Sequence, residues 1–237
     1  MAEFSEAQVA AIDKIVEHYV GQISIAQRLS RSLLDLFESS EKLAPHIHSM
    51  KARAKDPISL KDKLERKLRR GIIEGKKFEI TSENLFEQIT DLAGVRLLHL
   101  YTSQFALINK IVLELLAGEG FKILEGPEAR IWDDEYKAIF GAMGIDTIPS
   151  ERMYTSVHYV VDAGSGIKRT AEIQVRTLAQ ELWGEVDHAI NYPHACGVPA
   201  CEEQIRVLAR VASSCTRLVD SIFFTLDEDR KPKKPTQ

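Results

Sequence analysis

The residues able to do chemistry fall into four short clusters. The first runs from Arg53 to Lys67 and carries Arg53, Lys55, Ser59, Lys63, Arg66 and Lys67. Ser59 and Lys63 are four apart, so on a helix they share a face, with Arg66 and Lys67 on adjoining faces. Arg53 and Lys55 sit on a turn ahead of that helix. Such a turn suits a polyphosphate, because backbone N–H groups at a helix start and cationic side chains point at the same anion. Cations there can also neutralise charge that develops during phosphoryl-type transfer. The second cluster is Asp91-Leu-Ala-Gly94-Val-Arg96. An acidic residue heading a buried strand can hold Mg2+, which takes one or two carboxylates and leaves other positions to substrate phosphates. Gly94 permits close backbone approach.

The third and fourth clusters alternate. Tyr154, Ser156 and His158 share one strand face, and Glu172, Gln174 and Arg176 share another, with Ile173 and Val175 turned to the core. An aromatic ring with polar anchors is what a stacked base needs. In an antiparallel hairpin the two faces lie side by side as one polar floor. Taken singly, each cluster has a plainer reading: a solvated sheet face, a turn aspartate, a solvated basic helix. Their combination and order carry the inference.

Several elements must position these residues. Apolar positions from Val9 to Phe37 recur near a 3.6 period and predict helix over 5–44, with Gly21 as a break and Pro45 as the stop. Ser59 is the expected N-cap of a helix from Leu60 to Arg70, closed by Gly71. Residues 81–88 predict a short helix and 91–101 a buried strand. A helix from Ser103 to about Leu116 follows, then a short strand over 121–124. Residues 126–149 read as loop with one short helix. The pattern predicts a hairpin over 155–176 turning at Gly164-Ser165-Gly166, then helices over 177–190 and 202–226. Leu182, Trp183 and Cys215 are expected in the core. Helices around a compact sheet make this an α/β (α+β) architecture. The expected organisation is an N-terminal helical extension (1–48), a core (49–195), a C-terminal helix (196–226) and a disordered tail (227–237).

The chain has 237 residues and a formal charge of −4, yet the segment 51–77 is strongly basic. A basic segment on a mildly acidic protein points to a focused anionic ligand rather than nucleic-acid coating. No apolar run is long enough to span a membrane and the first residues are polar, so the expected location is cytoplasmic. Three cysteines clustered toward the C-terminus fit a reducing compartment. His188, His194, Cys196 and Cys201 lack the paired spacing of a zinc site.

In their order the clusters resemble the synthetase domain of the RelA/SpoT family over roughly residues 50–192. The family pattern R-x-K-x-x-x-S-x-x-x-K matches Arg53, Lys55, Ser59 and Lys63, and D-x-x-G-x-R matches Asp91, Gly94 and Arg96. The pattern Y-x-S-x-H matches Tyr154, Ser156 and His158, and E-x-Q-x-R-T matches Glu172, Gln174, Arg176 and Thr177. A helix with Trp183, Glu185, His188 and Tyr192 completes the set. The resemblance implies a mixed sheet of about five strands flanked by helices, similar to nucleotidyltransferases. It implies a pyrophosphokinase that moves the β,γ-pyrophosphoryl group of ATP to the 3′-hydroxyl of GDP or GTP, making (p)ppGpp. Arg53, Lys55, Ser59 and Lys63 would bind ATP, Asp91 and Glu172 would sit at Mg2+, and Glu172 would help activate the hydroxyl. Tyr154 would stack on the acceptor base, with Arg96, Glu185 and His188 in supporting places.

One stretch departs from the family. Where the pattern before the tyrosine reads P-K-x-N-G-Y, this chain has Ser150, Arg152 and Met153 in place of lysine, asparagine and glycine. Arg152 is the candidate replacement for the lost cation. The change leaves the ATP side intact and opens the acceptor to a guanosine nucleotide, an adenosine nucleotide or a tRNA 3′ end. The last two readings would imply a toxin with a neutralising antitoxin. A catalytically degenerate nucleotide-binding regulator is the reading from another class. Small members of the family self-associate, so a homo-oligomer is also expected. No His-Asp dipeptide occurs, so a stand-alone synthetase without the family's hydrolase domain is expected.

Overall fold

The computed structural model describes residues 4–150, 152–164, 168–192 and 196–230. Ser165 and Gly166 of the expected turn, His194, and the tail from residue 231 lie outside the described residues. The strands are β1 (Ser49–Ala54), β2 (Ala93–His99), β3 (Lys122–Ile131), β4 (Asp146–Pro149), β5 (Ser156–Asp162) and β6 (Thr170–Thr177). They form one six-stranded sheet in the order β1-β2-β6-β5-β3-β4. β2 and β6 run parallel; β1 adds to β2, β5 to β6 and β3 to β5, all antiparallel, and β4 runs parallel to β3. The helices are α1 (Glu6–Glu38), α2 (Pro57–Glu74), α3 (Leu85–Gln88), α4 (Phe105–Gly118), α5 (Asp134–Ala142), α6 (Leu178–Asn191) and α7 (Pro199–Arg230).

The strand period of two divides the sheet into unlike faces. Val95, Leu97, Val157, Tyr159, Ile173 and Val175 are buried in the main core with side chains of α1 and α4. The residues between them point the other way, toward a cleft walled by α2 and α6. α1 begins at a capping box between Ser5 and Gln8 and buries Ile12, Ile15, Tyr19, Ala26, Leu33 and Phe37 along one stripe. That stripe continues past Gly21, so the expected break is absent and the helix runs 33 residues. α7 packs on α6 through a smaller core of Trp183, Ile205, Ala209 and Ala212.

The sheet has one strand more than the expected five. β1 was expected as a turn: its inward residues are only Met50, Ala52 and Ala54, a weak strand signal. β3 is ten residues long rather than a short strand, because Gly126 carries a register shift instead of ending it. Gly126 has φ 84°, and a Cβ there would stand 2.2 Å from the His158 carbonyl oxygen. α2 is capped by Asp56, which accepts from Ile58 N at 2.9 Å and Ser59 N at 3.2 Å, with Pro57 at the first position; Ser59 is not the cap. The helix ends at left-handed Gly75, not at Gly71. Leu182 and Cys215 are exposed rather than buried. α7 continues to Arg230, past Leu226 where the apolar period fades. Among the described residues no helix is long and apolar enough to cross a membrane.

Two stability predictions follow from this packing. Asp220 of α7 accepts from Thr102 N at 3.0 Å and Ser103 N at 2.8 Å, tying α7 to the entry of α4. Asp220→Ala should cost about 1–2 kcal/mol, read as a lower urea midpoint with unchanged slope. His99, 3% exposed at the end of β2, is pushed by burial from 6.5 down to about 4. The unfolded chain therefore binds this proton at a higher pH than the folded one. His99 lowers stability as pH falls through that window, by about 3 kcal/mol at most. Urea unfolding at pH 7 and 4.5 should show this slope in the wild type and a flatter one in His99→Gln.

Candidate active site

The inner face of the cleft is ordered by strand register. Arg53, Gly94, Glu172 and Val160 lie in one row across β1, β2, β6 and β5. Lys51, Arg96, Gln174, His158 and Glu128 lie in the next, which extends onto β3, and Arg130 of β3 faces Ser156. The predicted polar floor is therefore present and wider than the hairpin alone. Gly94 is needed where β1 crosses: a Cβ would stand 3.1 Å from the Glu172 carbonyl oxygen and 3.7 Å from the Arg53 side chain.

Above this floor the cleft encloses about 420 Å³ and includes Asp91, Glu172, Tyr154, Ser156, His158, Gln174 and Arg176. A second lobe of about 370 Å³ is lined by Arg53, Lys55, Asp56, Ser59, Asp62 and Tyr192. Arg53, Arg66, Arg152 and His188 border both lobes. Lys63 lines the first lobe, and Lys67, one turn farther along α2, lines neither.

Asp91 stands just before β2, beside the end of β1, because Lys55 N–H bonds to Leu92 O at 2.8 Å. Lys55 Nζ donates to Asp91 Oδ2 at 2.7 Å and Lys63 Nζ stands 2.9 Å from Oδ1. Burial works to raise the Asp91 carboxyl, but the two ammonium groups outweigh it and hold it well below the usual carboxylate range. Burial lowers the Lys55 ammonium, and Asp91 opposes that shift. Tyr19 of α1 donates to Lys55 O at 2.7 Å, tying the helical layer to this corner.

Glu172 is enclosed on the neighbouring strand. His158 Nδ1 lies 2.8 Å from its Oε1, and Gln174 Nε2 donates to Oε2 at 2.7 Å. Burial again raises the carboxyl, and these two partners bring it down to about 2 despite the nearby Asp91 charge. Ser156 Oγ closes the chain 2.5 Å from His158 Nε2. Both carboxylates are therefore ionised at neutral pH. Among the described residues no group of three or more His, Cys, Asp or Glu is arranged around one point. Asp91 and Glu172 fit a hard divalent cation whose remaining ligands are phosphate oxygens and water. Asp91 Oδ1 is buried and has the Lys63 ammonium as its ion-pair partner, so the fit to a cation rests on the two carboxylates themselves.

The supporting residues form a lattice of charge. Arg96 donates to Glu181 at 2.8 Å and Glu185 at 2.6 Å, and Arg176 pairs with Glu181. These pairs fix α6 over the floor. His188 stacks on Tyr192 with ring centres 4.4 Å apart. Tyr154 leans on Trp183, which is core as expected and donates to Ile205 O at 3.0 Å. Arg152 is largely exposed and 3.8 Å from Asp187.

Four charged residues lining the first lobe escaped the sequence reading: Glu125, Glu128 and Arg130 of β3, and Asp187 of α6. The alternation Glu128-Ala129-Arg130-Ile131 was the signal available for β3, interrupted by Gly126-Pro127. Arg130 Nη1 reaches the Tyr154 hydroxyl at 3.4 Å, so it borders the same ring that the sequence singled out.

Comparisons with known proteins identify the family and the fold. A family model described as a region found in RelA/SpoT proteins matches residues 52–196. The GTP pyrophosphokinase YjbM of Bacillus subtilis (strain 168) is 27% identical over 138 residues, 56% of this chain and 55% of YjbM. The chain thus spans about half the length of that relative. The GTP pyrophosphokinase YwaC of the same organism is 27% identical over 172 residues, 70% of this chain and 69% of YwaC. Among solved structures, small alarmone synthetase 1 of Bacillus subtilis bound to its product pppGpp superposes with a TM-score of 0.56 at 23% identity. That match covers 88% of this chain and 94% of the other. The same enzyme bound to AMPCPP gives 0.53 at 19% identity, covering 89% and 96%. These structures share the fold. With the family model matched over more than half its length, the chain belongs to the RelA/SpoT family.

Proposed function

We propose that this protein is an ATP-dependent pyrophosphokinase that transfers the β,γ-pyrophosphoryl group of ATP to the 3′-hydroxyl of GDP or GTP, forming (p)ppGpp. The observation that carries this reading is the pair of ionised, largely enclosed carboxylates, Asp91 and Glu172, where a cation-rich lobe meets a polar floor. The names of the relatives YjbM and YwaC support it as well.

In this reading ATP lies in the lobe of Arg53, Lys55 and Ser59, with Lys63 and Arg66 on its phosphates and Lys67 adding positive field from the next turn. Arg53 stands at the adenine end. The acceptor lies on the floor, its base against Tyr154, with Ser156, His158, Gln174 and Arg176 below it and Arg152 at the phosphate end. Asp91 and Glu172 would hold Mg2+, which would supply charge neutralisation at the transferring phosphates. Glu172 accepts a hydrogen bond from the 3′-hydroxyl and orients it in line with the β-phosphorus. A carboxylate held near 2 is a weak base, which suits a loose transition state in which the hydroxyl proton leaves late. Arg96, Glu181 and Glu185 keep α6 in place, and so keep His188 and Arg152 at the boundary of the lobes.

A second reading rests on one specific feature. Ser150, Arg152 and Met153 stand where relatives carry lysine, asparagine and glycine before the tyrosine, so the acceptor can be an adenosine nucleotide or a tRNA 3′ end with the same chemistry. In that case a neutralising antitoxin would be a partner.

Two substitutions test the assignment. Glu172→Gln keeps the shape and removes the charge. It should lower kcat by about 10²–10⁴-fold with little change in ATP-analogue affinity. Unchanged turnover would remove Glu172 from the chemical step. Arg152→Ala should raise the KM for the acceptor about tenfold at nearly constant kcat, as for loss of a binding cation. A drop in kcat alone would move Arg152 from binding to the chemical step.

A further inference from the structure

Both oxygens of the Asp91 carboxylate are covered by lysine ammonium groups. The inference from this rests on the reading of Asp91 as a metal ligand. Asp91 has 15% side-chain exposure, and each of its oxygens faces an ammonium group. The two lysines are not equivalent. Lys55 is 9% exposed at the side chain and hydrogen-bonded to Oδ2. Its backbone is held on both sides, N–H by Leu92 O and C=O by the Tyr19 hydroxyl. Lys63 is 26% exposed, projects from α2 into the cleft, and meets Oδ1 as an ion pair without hydrogen-bond alignment. Lys55 is therefore built in, and Lys63 is the cation able to leave.

We propose that Lys63 is a gate on Asp91: it occupies the metal-facing oxygen until a polyphosphate draws it away. A second ammonium group in contact with Asp91 cancels much of the negative potential that the carboxylates offer a divalent cation. A triphosphate in the adjoining lobe offers Lys63 oxygens of higher charge. Once Lys63 moves to them, Lys55 alone balances Asp91 and Oδ1 is open. Nucleotide and metal then promote one another, because coupling between two sites is reciprocal. Lys63 acts here as a positioning residue for the metal, besides any contact it makes with ATP.

The test measures Mn2+ binding to nucleotide-free protein by the electron paramagnetic resonance signal of free Mn2+. It compares wild type, Lys63→Met, Lys67→Met, and Lys63→Met combined with Asp91→Asn. Methionine keeps most of the lysine stem and removes the charge. Lys63→Met should bind Mn2+ at least about tenfold more tightly than wild type, the scale expected for removing one ammonium in contact with the carboxylate. Asp91→Asn in that background should abolish the gain. Lys67→Met, which removes a like charge one turn away, should change affinity less than about threefold, as a screened, more distant charge does. Equal binding by wild type and Lys63→Met overturns the gate. So does an equal gain in Lys67→Met, which would mark a general charge effect. If Lys63→Met does not fold, Lys63→Gln makes the same comparison. The measurement uses no nucleotide and no turnover, so a Mn2+ gain in a protein that transfers nothing would reject the proposed reaction and leave the gate standing.

Discussion

Keeping two carboxylates ionised inside one cleft is the constraint to which the rest of the structure answers. Taking a carboxylate out of water costs several kcal/mol unless it is paired and hydrogen-bonded. Asp91 and Glu172 stand at the same end of the parallel pair β2 and β6, close enough that the Asp91 charge opposes ionisation of Glu172. Each therefore needs its own partners. Lys55 and Lys63 come to Asp91 from the β1–α2 junction, and His158 and Gln174 come to Glu172 from the hairpin of β5 and β6. Removing one partner would leave an uncompensated buried charge, so these strands and helices are tied together by electrostatics as well as by packing.

The hydrophobic layers set the distances at which these pairs form. α1 fixes the β1 end through its buried stripe and through the Tyr19 hydroxyl on the Lys55 carbonyl. Tyr159 and Asn109 join β5 to α4 behind the floor by a 2.7 Å hydrogen bond. On the other side α6 is held down by Arg96 and Arg176 and from above by α7. The cleft face of β2, β5 and β6 is lined mainly by charged and polar side chains. The same division explains why the two faces of β2, β5 and β6 carry such different residues.

Much of this was legible in the chain. β2, β5 and β6 announce themselves through apolar runs or strict alternation, and the polar partners on them fall where that alternation puts them. β1 was hidden because Met50, Ala52 and Ala54 bury little surface, so Arg53 and Lys55 read as a turn. β3 was cut short by Gly126-Pro127, and Glu128 and Arg130 were lost with it, although a strand can carry such a pair across a register shift. Asp56 and Ser59 are both good caps, and Pro57 at the first helical position was the cue that favours Asp56. The exposure of Cys215 depends on the phase of α7, which Ile205, Ala209, Ala212 and Thr216 set by packing. No local pattern contains that information. The pairing of Lys63 with Asp91 was likewise out of reach, since the two belong to elements with no sequence signal linking them.

The proposed reaction moves two phosphates as one unit from ATP to a guanosine nucleotide. ATP labelled separately at the β- and γ-phosphorus tests it, with Mg2+ and GDP, GTP, ADP, ATP or deacylated tRNA as acceptor. Equal transfer of both labels to the 3′ position of GDP or GTP is expected, with one AMP released for each product formed. Transfer of the γ-label alone, or no transfer while ATP still binds, would rule the proposed reaction out.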